Sequence, residues 1–103
     1  MSYDLRQRPD PSSIRGRTWY AVDGFDGRDG ITMRALFEAR TIEDAVAIAT
    51  RDLMCGDLYE IPSSVYADWK RWADSLIPMH TRIILPLPTS GILLGRLELA
   101  RPN

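Results

Sequence analysis

Apolar and polar residues alternate along two early stretches of the chain, which is the pattern of strands that bury one face. Residues 18–22 are aromatic and β-branched in character, and residues 31–39 alternate between apolar and mostly polar side chains, with Leu36 out of phase. Between them, residues 23–30 repeat Asp-Gly every three positions. Glycine and aspartate favour successive turns over a helix or strand. The pattern therefore predicts an antiparallel hairpin closed by a long, flexible Asp-Gly loop.

A first amphipathic helix is predicted directly after this hairpin. Thr41 is a suitable N-cap, and the apolar side chains of residues 42–54 recur at spacings of three, four and seven, as a helix lying on a sheet requires. Gly56 can adopt the left-handed conformation that ends many helices. The helix is therefore expected to cover residues 42–54 and to stop at this glycine.

A second amphipathic helix is predicted between two prolines. Pro62 precedes Ser63 and Ser64, either of which could cap the helix, and Pro78 cannot continue it. Trp69 and Trp72 fall on its apolar stripe together with other large side chains. Tryptophans at this spacing are expected to pack on the sheet rather than to stack on bases.

A second hairpin is predicted at the end of the chain, from residues 81–87 and 92–99 with a turn over 88–91. Pro86 cannot donate a hydrogen bond within a sheet, so its strand is expected at an edge. The elements then follow the order ββααββ. They predict an α+β fold, with a four-stranded antiparallel sheet built from two hairpins and two helices packed on one face. The other face would be left to solvent or to a homodimer.

Length and charge indicate one small domain with a distinct N-terminal segment. The chain has 103 residues and a formal net charge of −1, which gives no overall attraction to nucleic acid or anionic membranes. Residues 1–16 are rich in proline, serine and arginine and are expected to form a flexible basic arm, whereas residues 17–103 form the domain. A cytoplasmic protein is expected, because the first residues are polar and no apolar run is long enough to span a membrane.

No arrangement of reactive side chains in the sequence indicates catalysis or a cofactor. The aspartates of the Asp-Gly stretch lie three apart, which is not the alternate spacing of a calcium-binding loop, and its glycines do not open a phosphate-binding helix. Cys55 and His80 are the only residues of their kinds. Cys55 is expected at the C-terminal end of a helix, where the helix dipole opposes thiolate formation. The sequence therefore predicts a protein that is not an enzyme and binds no metal or cofactor.

An aromatic residue within the Asp-Gly stretch indicates a binding surface. Phe25 is expected at the tip of the loop, where it has little core to reach, and aromatic residues are frequent among the residues that dominate protein interfaces. Its charged neighbours would surround it. An aromatic of the first strand and the arginines of the basic arm are further candidates. The candidate partner-binding residues are Phe25, Asp26, Arg28, Asp29, Tyr20, Arg6 and Arg8.

These observations favour a small non-enzymatic domain that binds another protein. In size and in lack of catalytic residues the chain is similar to the small inhibitors encoded by phages and mobile elements, anti-CRISPR proteins among them. This likeness is to a class and assigns a role to no residue; it implies an inhibitor of a host complex. One alternative is a nucleic-acid-binding module that uses the N-terminal arginines and an aromatic sheet face. A second alternative is an accessory subunit of an enzyme.

Overall fold

The computed structural model describes residues 17–76 and 83–98, and within them four strands form one antiparallel sheet. The elements follow the order ββαβαβ, with a short 3₁₀ turn before the second helix. The strands are β1 (Thr18–Asp26), β2 (Thr32–Ala39), β3 (Met54–Ile61) and β4 (Ile92–Leu97), and the helices are α1 (Ile42–Arg51) and α2 (Tyr66–Asp74). The strand order across the sheet is β2-β1-β3-β4. The α+β class and the four-stranded antiparallel sheet are thus as predicted, whereas the predicted order ββααββ is wrong.

The two helices lie on opposite faces of the sheet, which corrects the prediction that both cover one face. Tyr20 and Val22 of β1 pack in one cluster with Ala45 and Ala49 of α1. Ala21 packs in a second cluster with Trp69 and Trp72 of α2. Since neighbouring strand residues point to opposite faces, β1 is buried on both sides. Its uninterrupted apolar run is typical of a strand that is covered twice.

Leu36, the out-of-phase residue of β2, is explained by this arrangement. It lies opposite Ala21 and packs against the α2 cluster, whereas Ala35 and Phe37 pack against the α1 cluster. The homodimer was predicted from a fully open sheet face. Because each face carries a helix, that reason no longer applies, and the homodimer itself stays a prediction.

Strand β3 begins at Met54, the last residue of the predicted first helix. Thr41 caps α1 as predicted, its Oγ1 accepting the Asp44 backbone N–H at 3.0 Å. The helix ends earlier, at Arg51, and the left-handed residue after it is Leu53, with φ 58°. Gly56 lies within β3 rather than at the end of the helix. Residues 54–61 pair with β1 from Trp19 to Asp26, a strand pairing that was not predicted from the sequence.

The second helix is shorter than predicted and begins without a side-chain cap. A 3₁₀ turn over Ser63–Val65 precedes it, and no side chain of Pro62 or Val65 donates or accepts a capping hydrogen bond. The expected cap by Ser63 or Ser64 is therefore wrong. Trp69 and Trp72 are fully buried against the sheet, as their spacing predicted.

The segment before β4 packs against the α2 cluster instead of forming a strand. Residues 83–88 carry no strand, and β4 pairs with β3, so the predicted second hairpin is wrong over the described residues; residues 81–82 and 99 lie outside them. Leu87 packs against the α2 cluster. Trp69 Nε1 donates a hydrogen bond to Ser90 Oγ at 3.1 Å, which ties the segment to α2. Within the described ranges, neither helix is long and apolar enough to cross a membrane.

Candidate interaction surface

The Asp-Gly stretch forms a short, hydrogen-bonded turn rather than the long loop that was predicted. β1 extends to Asp26 and β2 begins at Thr32, so Asp23, Gly24 and Phe25 belong to a strand. The Gly30 N–H donates to the Asp26 carbonyl at 2.7 Å, and the Asp26 N–H donates to the Ile31 carbonyl at 2.9 Å. Gly30 has a φ of 75°, which explains a glycine there. The second and third Asp-Gly pairs therefore form a tight hairpin turn, whereas the first pair lies in β1.

Asp26 and Arg28 hold this hairpin to the turn between α1 and β3. The Asp26 carboxylate accepts the Arg28 backbone N–H at 2.8 Å and Nε at 3.1 Å. The Arg28 side chain thereby lowers the pKa of Asp26 below its ordinary value, and Asp26 in turn raises the pKa of Arg28. Arg28 Nη2 also donates to the Asp52 carbonyl at 3.3 Å, and the Gly27 N–H donates to the Leu53 carbonyl at 2.7 Å. These two charged residues have a structural role whether or not a partner contacts them.

Phe25 points to the opposite side of the sheet from Asp26 and Arg28. It lies in β1 between Thr32 of β2 and Cys55 of β3, and its odd position places it on the α2 side with Ala21. Its side chain is 37% exposed. The structure therefore separates the predicted loop-tip site into an exposed aromatic on one face and a braced hairpin on the other. Asp29 stays in the hairpin, where its carboxylate accepts the Ile31 N–H at 3.0 Å.

The remaining predicted partner-binding residues do not join Phe25. Tyr20 is 3% exposed and stacks on Phe37 beneath α1, with ring centroids 6.2 Å apart, so it is not part of the surface. Its strand neighbour Trp19 contacts Tyr66 on the α2 side, at 4.5 Å between ring centroids. Arg6 and Arg8 lie outside the described residues.

A row of four charged residues crosses the sheet beside Phe25, one on each strand. The register places Arg34 opposite Asp23, Asp23 opposite Asp57, and Asp57 opposite Arg96. All four share the α2 side, because Asp23 lies two residues from both Ala21 and Phe25 on β1. Sequence reasoning missed this row. Asp23 was assigned to a loop and Asp57 to the region after a helix, so nothing placed them together.

Both arginines of the row are engaged, but they do not neutralise both acids. Arg96 Nη1 donates to Asp57 at 3.1 Å. Arg34 turns toward α2, where its Nη1 donates to the Trp72 carbonyl at 2.7 Å and its guanidinium lies 4.7 Å from the Trp72 ring centre. Within residues 17–76 and 83–98, the half-buried Asp23 carboxylate makes no hydrogen bond or ion pair. The row therefore contains one acid without a partner in the described chain.

The negative charges of the two acids act on the phenol of Tyr59. It lies two residues from Asp57 along β3, on the same side of the sheet, and its ring centroid lies 5.4 Å from that of Trp69. Burial raises the pKa of the Tyr59 phenol, and the negative charges of Asp57 and then Asp23 raise it further. Both carboxylates thus act on the same phenol, and the charged row lies between Tyr59 and Phe25 in the sheet.

Cys55 occupies a different environment from the one predicted. It lies in β3 rather than at a helix end, is 2% exposed, and its Sγ lies 3.8 Å from the Leu53 carbonyl. The argument from the helix dipole therefore does not apply to it. His80 lies outside the described residues. Within the described ranges, no group of three His, Cys, Asp or Glu side chains is arranged to hold a metal ion.

The features above leave one part of the sheet as the candidate surface. We call it the open face: Asp23, Phe25, Thr32, Asp57 and Arg96, on the α2 side of the sheet next to the end of α2. It combines an exposed aromatic, a carboxylate without a partner among residues 17–76 and 83–98, and an exposed ion pair, and it extends over all four strands of the sheet. No protein-family model matches the chain, and neither a curated protein nor a solved structure is significantly similar to it.

Proposed function

We propose that the protein is a small non-enzymatic domain that binds another protein through its open face. The observation that carries the proposal is the position of Phe25. A large aromatic side chain is 37% exposed on a central strand, where the sheet fixes its backbone through pairing on both sides. Aromatic residues held on a rigid surface are frequent hot spots, since they bury a large area and lose little conformational freedom on binding.

The surroundings of Phe25 suit an interface. Asp57 and Arg96 form an ion pair with side chains that are 37% and 59% exposed, which is the polar rim that commonly surrounds an apolar contact. Thr32, opposite Phe25, is exposed and can donate or accept a hydrogen bond. A partner that covers the aromatic ring would therefore also meet groups that can pair with its polar atoms.

Inhibition of a larger complex is the specific form of protein binding that we propose. Its support is the small size of the chain and its likeness to phage and mobile-element inhibitors as a class. A domain of this kind acts by covering a surface that the target needs, which requires no catalytic group. Nucleic-acid binding is less well supported on the open face, because the carboxylates of Asp23 and Asp57 would repel phosphate.

Affinity capture from lysates of the source cells and of candidate host cells tests the proposal. The full chain is tagged and compared with Phe25→Ala and with Ile42→Ala, a matched control whose side chain is 44% exposed on α1, on the other side of the sheet. We expect a stoichiometric partner that is retained by wild type and Ile42→Ala and lost by Phe25→Ala. No partner, or a partner that Phe25→Ala retains, would count against the open face.

A further inference from the structure

We infer that the open face accepts a cationic side chain, arginine or lysine, from the protein partner, and that this side chain lies over Phe25 and pairs with Asp23. The inference rests on the proposed function, because it names the chemistry of the partner at the same surface. It is carried by three features: the incomplete pairing of the charged row, the exposed ring of Phe25, and the fixed backbone beneath them.

The charged row has a place for one more cation. Asp23 and Asp57 lie directly opposite each other on β1 and β3, and like charges in this position destabilise a sheet. Arg96 pairs with Asp57, but Arg34 is held by the Trp72 carbonyl and Ser75 Oγ rather than by Asp23. A cation beside Asp23 would therefore pair with the one acid of the row that has no partner in the described part of the chain.

Phe25 supplies the second contact for such a side chain. Asp23 and Phe25 are two residues apart on the same face of β1, which places their Cα atoms about 7 Å apart in an extended strand. Cations bind the faces of aromatic rings when they lie within about 6 Å of the ring centre. An arginine or lysine over the exposed ring of Phe25 could thus reach the Asp23 carboxylate. The same protein already holds Arg34 over Trp72 in this way, on the neighbouring part of the sheet.

The backbone between these two residues is held in place. Gly24, which separates Asp23 from Phe25, lies against Gly56 of β3, and no Cβ could be added at either position without meeting the opposite strand. Carboxylate and ring therefore project from a strand that is paired on both sides. A site of this kind binds with a smaller loss of conformational entropy than one on a mobile loop.

Nuclear magnetic resonance titration of the full chain with synthetic peptides tests the inference directly. The probe is an acetylated, amidated five-residue peptide with a central arginine between two leucines, compared with peptides that carry lysine, citrulline or glutamate at the centre. Citrulline keeps the shape of arginine and removes its charge. The backbone amides of Gly24, Phe25 and Gly56 serve as reporters, at low ionic strength because exposed ion pairs are screened by salt.

We expect the arginine and lysine peptides to shift these amides and the citrulline and glutamate peptides to bind at least about tenfold more weakly. Asp23→Asn should weaken binding of the arginine peptide by a similar factor. Glu43→Gln should leave its affinity unchanged, since it removes one exposed negative charge on α1, on the other side of the sheet. The spectrum of each variant without peptide shows whether the fold is kept.

Three results would overturn the inference. They are equal binding of the arginine and citrulline peptides, an equal loss of affinity for the arginine peptide in Asp23→Asn and Glu43→Gln, and no shift of the reporter amides. Shifts of the same amides on dilution of the free protein would do so as well, because they would assign the face to a second copy of the chain. The capture experiment separates this result from the proposed function. If Phe25→Ala loses the partner and Asp23→Asn retains it, protein binding through the open face is supported and the inferred cationic side chain is contradicted.

Discussion

Gly24 and Gly56 lie directly opposite each other on β1 and β3, and neither position has space for a side chain. A Cβ atom at Gly24 would lie 1.8 Å from the Cys55 carbonyl oxygen and 2.7 Å from the Gly56 Cα. A Cβ at Gly56 would lie 2.4 Å from the Asp23 carbonyl oxygen. The two central strands therefore approach each other closely at this pair, immediately beneath the open face.

Replacement of Gly24 by alanine should destabilise the protein by more than about 3 kcal/mol, because the atoms in the way belong to the backbone of a central strand and cannot move aside. Gly56→Ala should be at least as severe, since Gly56 also has a φ of 129°, which side chains disfavour. Gly30→Ala is the control. Its φ is 75°, but within the described residues no other atom lies within 4 Å of the added Cβ, so a loss of about 1 kcal/mol is expected. Urea unfolding measures all three, and similar midpoints for Gly24→Ala and Gly30→Ala would refute the explanation.

Ser75 connects the end of α2 to two other parts of the chain and is 6% exposed. Its Oγ donates to the Trp72 carbonyl at 2.8 Å and accepts from Arg34 Nη1 at 3.0 Å and from the Leu85 N–H at 2.9 Å. Ser75→Ala should lower the free energy of unfolding by about 2 kcal/mol, because it leaves a donor on each neighbouring segment without this acceptor.

Ser64 provides the matched control for this change, as it is exposed in the 3₁₀ turn. Ser64→Ala should alter the free energy of unfolding by less than about 0.5 kcal/mol. Urea unfolding followed by tryptophan fluorescence suits both variants, since Trp69 and Trp72 are fully buried and Ser75 contacts the Trp72 carbonyl. Equal effects of the two substitutions would show that the hydrogen bonds of Ser75 do not stabilise the fold.

The pKa of Tyr59 is expected to respond to the acids of the charged row. Burial raises this pKa above its ordinary value of 10.0, and Asp57 and Asp23 add to the effect, so Asp57→Asn should lower it. The folded state favours the neutral phenol. As the pH rises above about 10, the unfolded chain releases the Tyr59 proton first, and stability therefore decreases until the folded pKa is reached.

Carbon-13 chemical shifts of the Tyr59 ring, followed between neutral pH and high pH, measure this pKa. Asp68→Asn is the control, because Asp68 lies on α2 and is not among the charges that act on Tyr59. A Tyr59 pKa that is equal in wild type and Asp57→Asn would show that the two side chains do not interact. Such a result would also weaken the case that the carboxylates of the open face act on one region.

Local patterns in the sequence predicted that the first hairpin and the two helices exist, but not which faces of the sheet the helices cover. The first hairpin and the tryptophan stripe of α2 were predicted in this manner, and so was the Thr41 cap. The same reasoning misread β1, where apolar side chains on both faces support a helix on each side of the sheet. Leu36 was the visible sign of this, because a residue that breaks the alternation of a strand needs a second apolar environment.

The candidate surface was less predictable than the fold, because it depends on which strands are neighbours. The sequence indicated Phe25 as an exposed aromatic, but not the side of the sheet on which it lies. The charged row exists only when Asp57 is placed in β3 and β3 is placed next to β1. Gly56 was interpreted as the stop of a helix, so Asp57 was not assigned to a strand. Pairing between distant segments therefore creates the site.

The contacts of Arg28 with the α1–β3 turn should limit local opening of the hairpin. Arg28 binds the Asp26 carboxylate and the Asp52 carbonyl, and the neighbouring Gly27 N–H donates to the Leu53 carbonyl at 2.7 Å. We expect Arg28→Gln to accelerate hydrogen exchange at the Gly27 and Gly30 amides while exchange in the centre of β1 is unchanged, because local openings involve only the contacts of that region. Acid should have the same effect in wild type. The pKa of Asp26 is lowered by Arg28, so the stabilisation is complete above the unfolded pKa near 3.8 and is lost as the pH falls through the folded value.

Arg51→Gln is the control for Arg28→Gln, since Arg51 lies at the end of α1 and pairs only with the exposed Asp52 carboxylate within the described residues. Equal acceleration in both variants would indicate a general effect of charge on the turn, and the hairpin would then need no specific contact with Arg28.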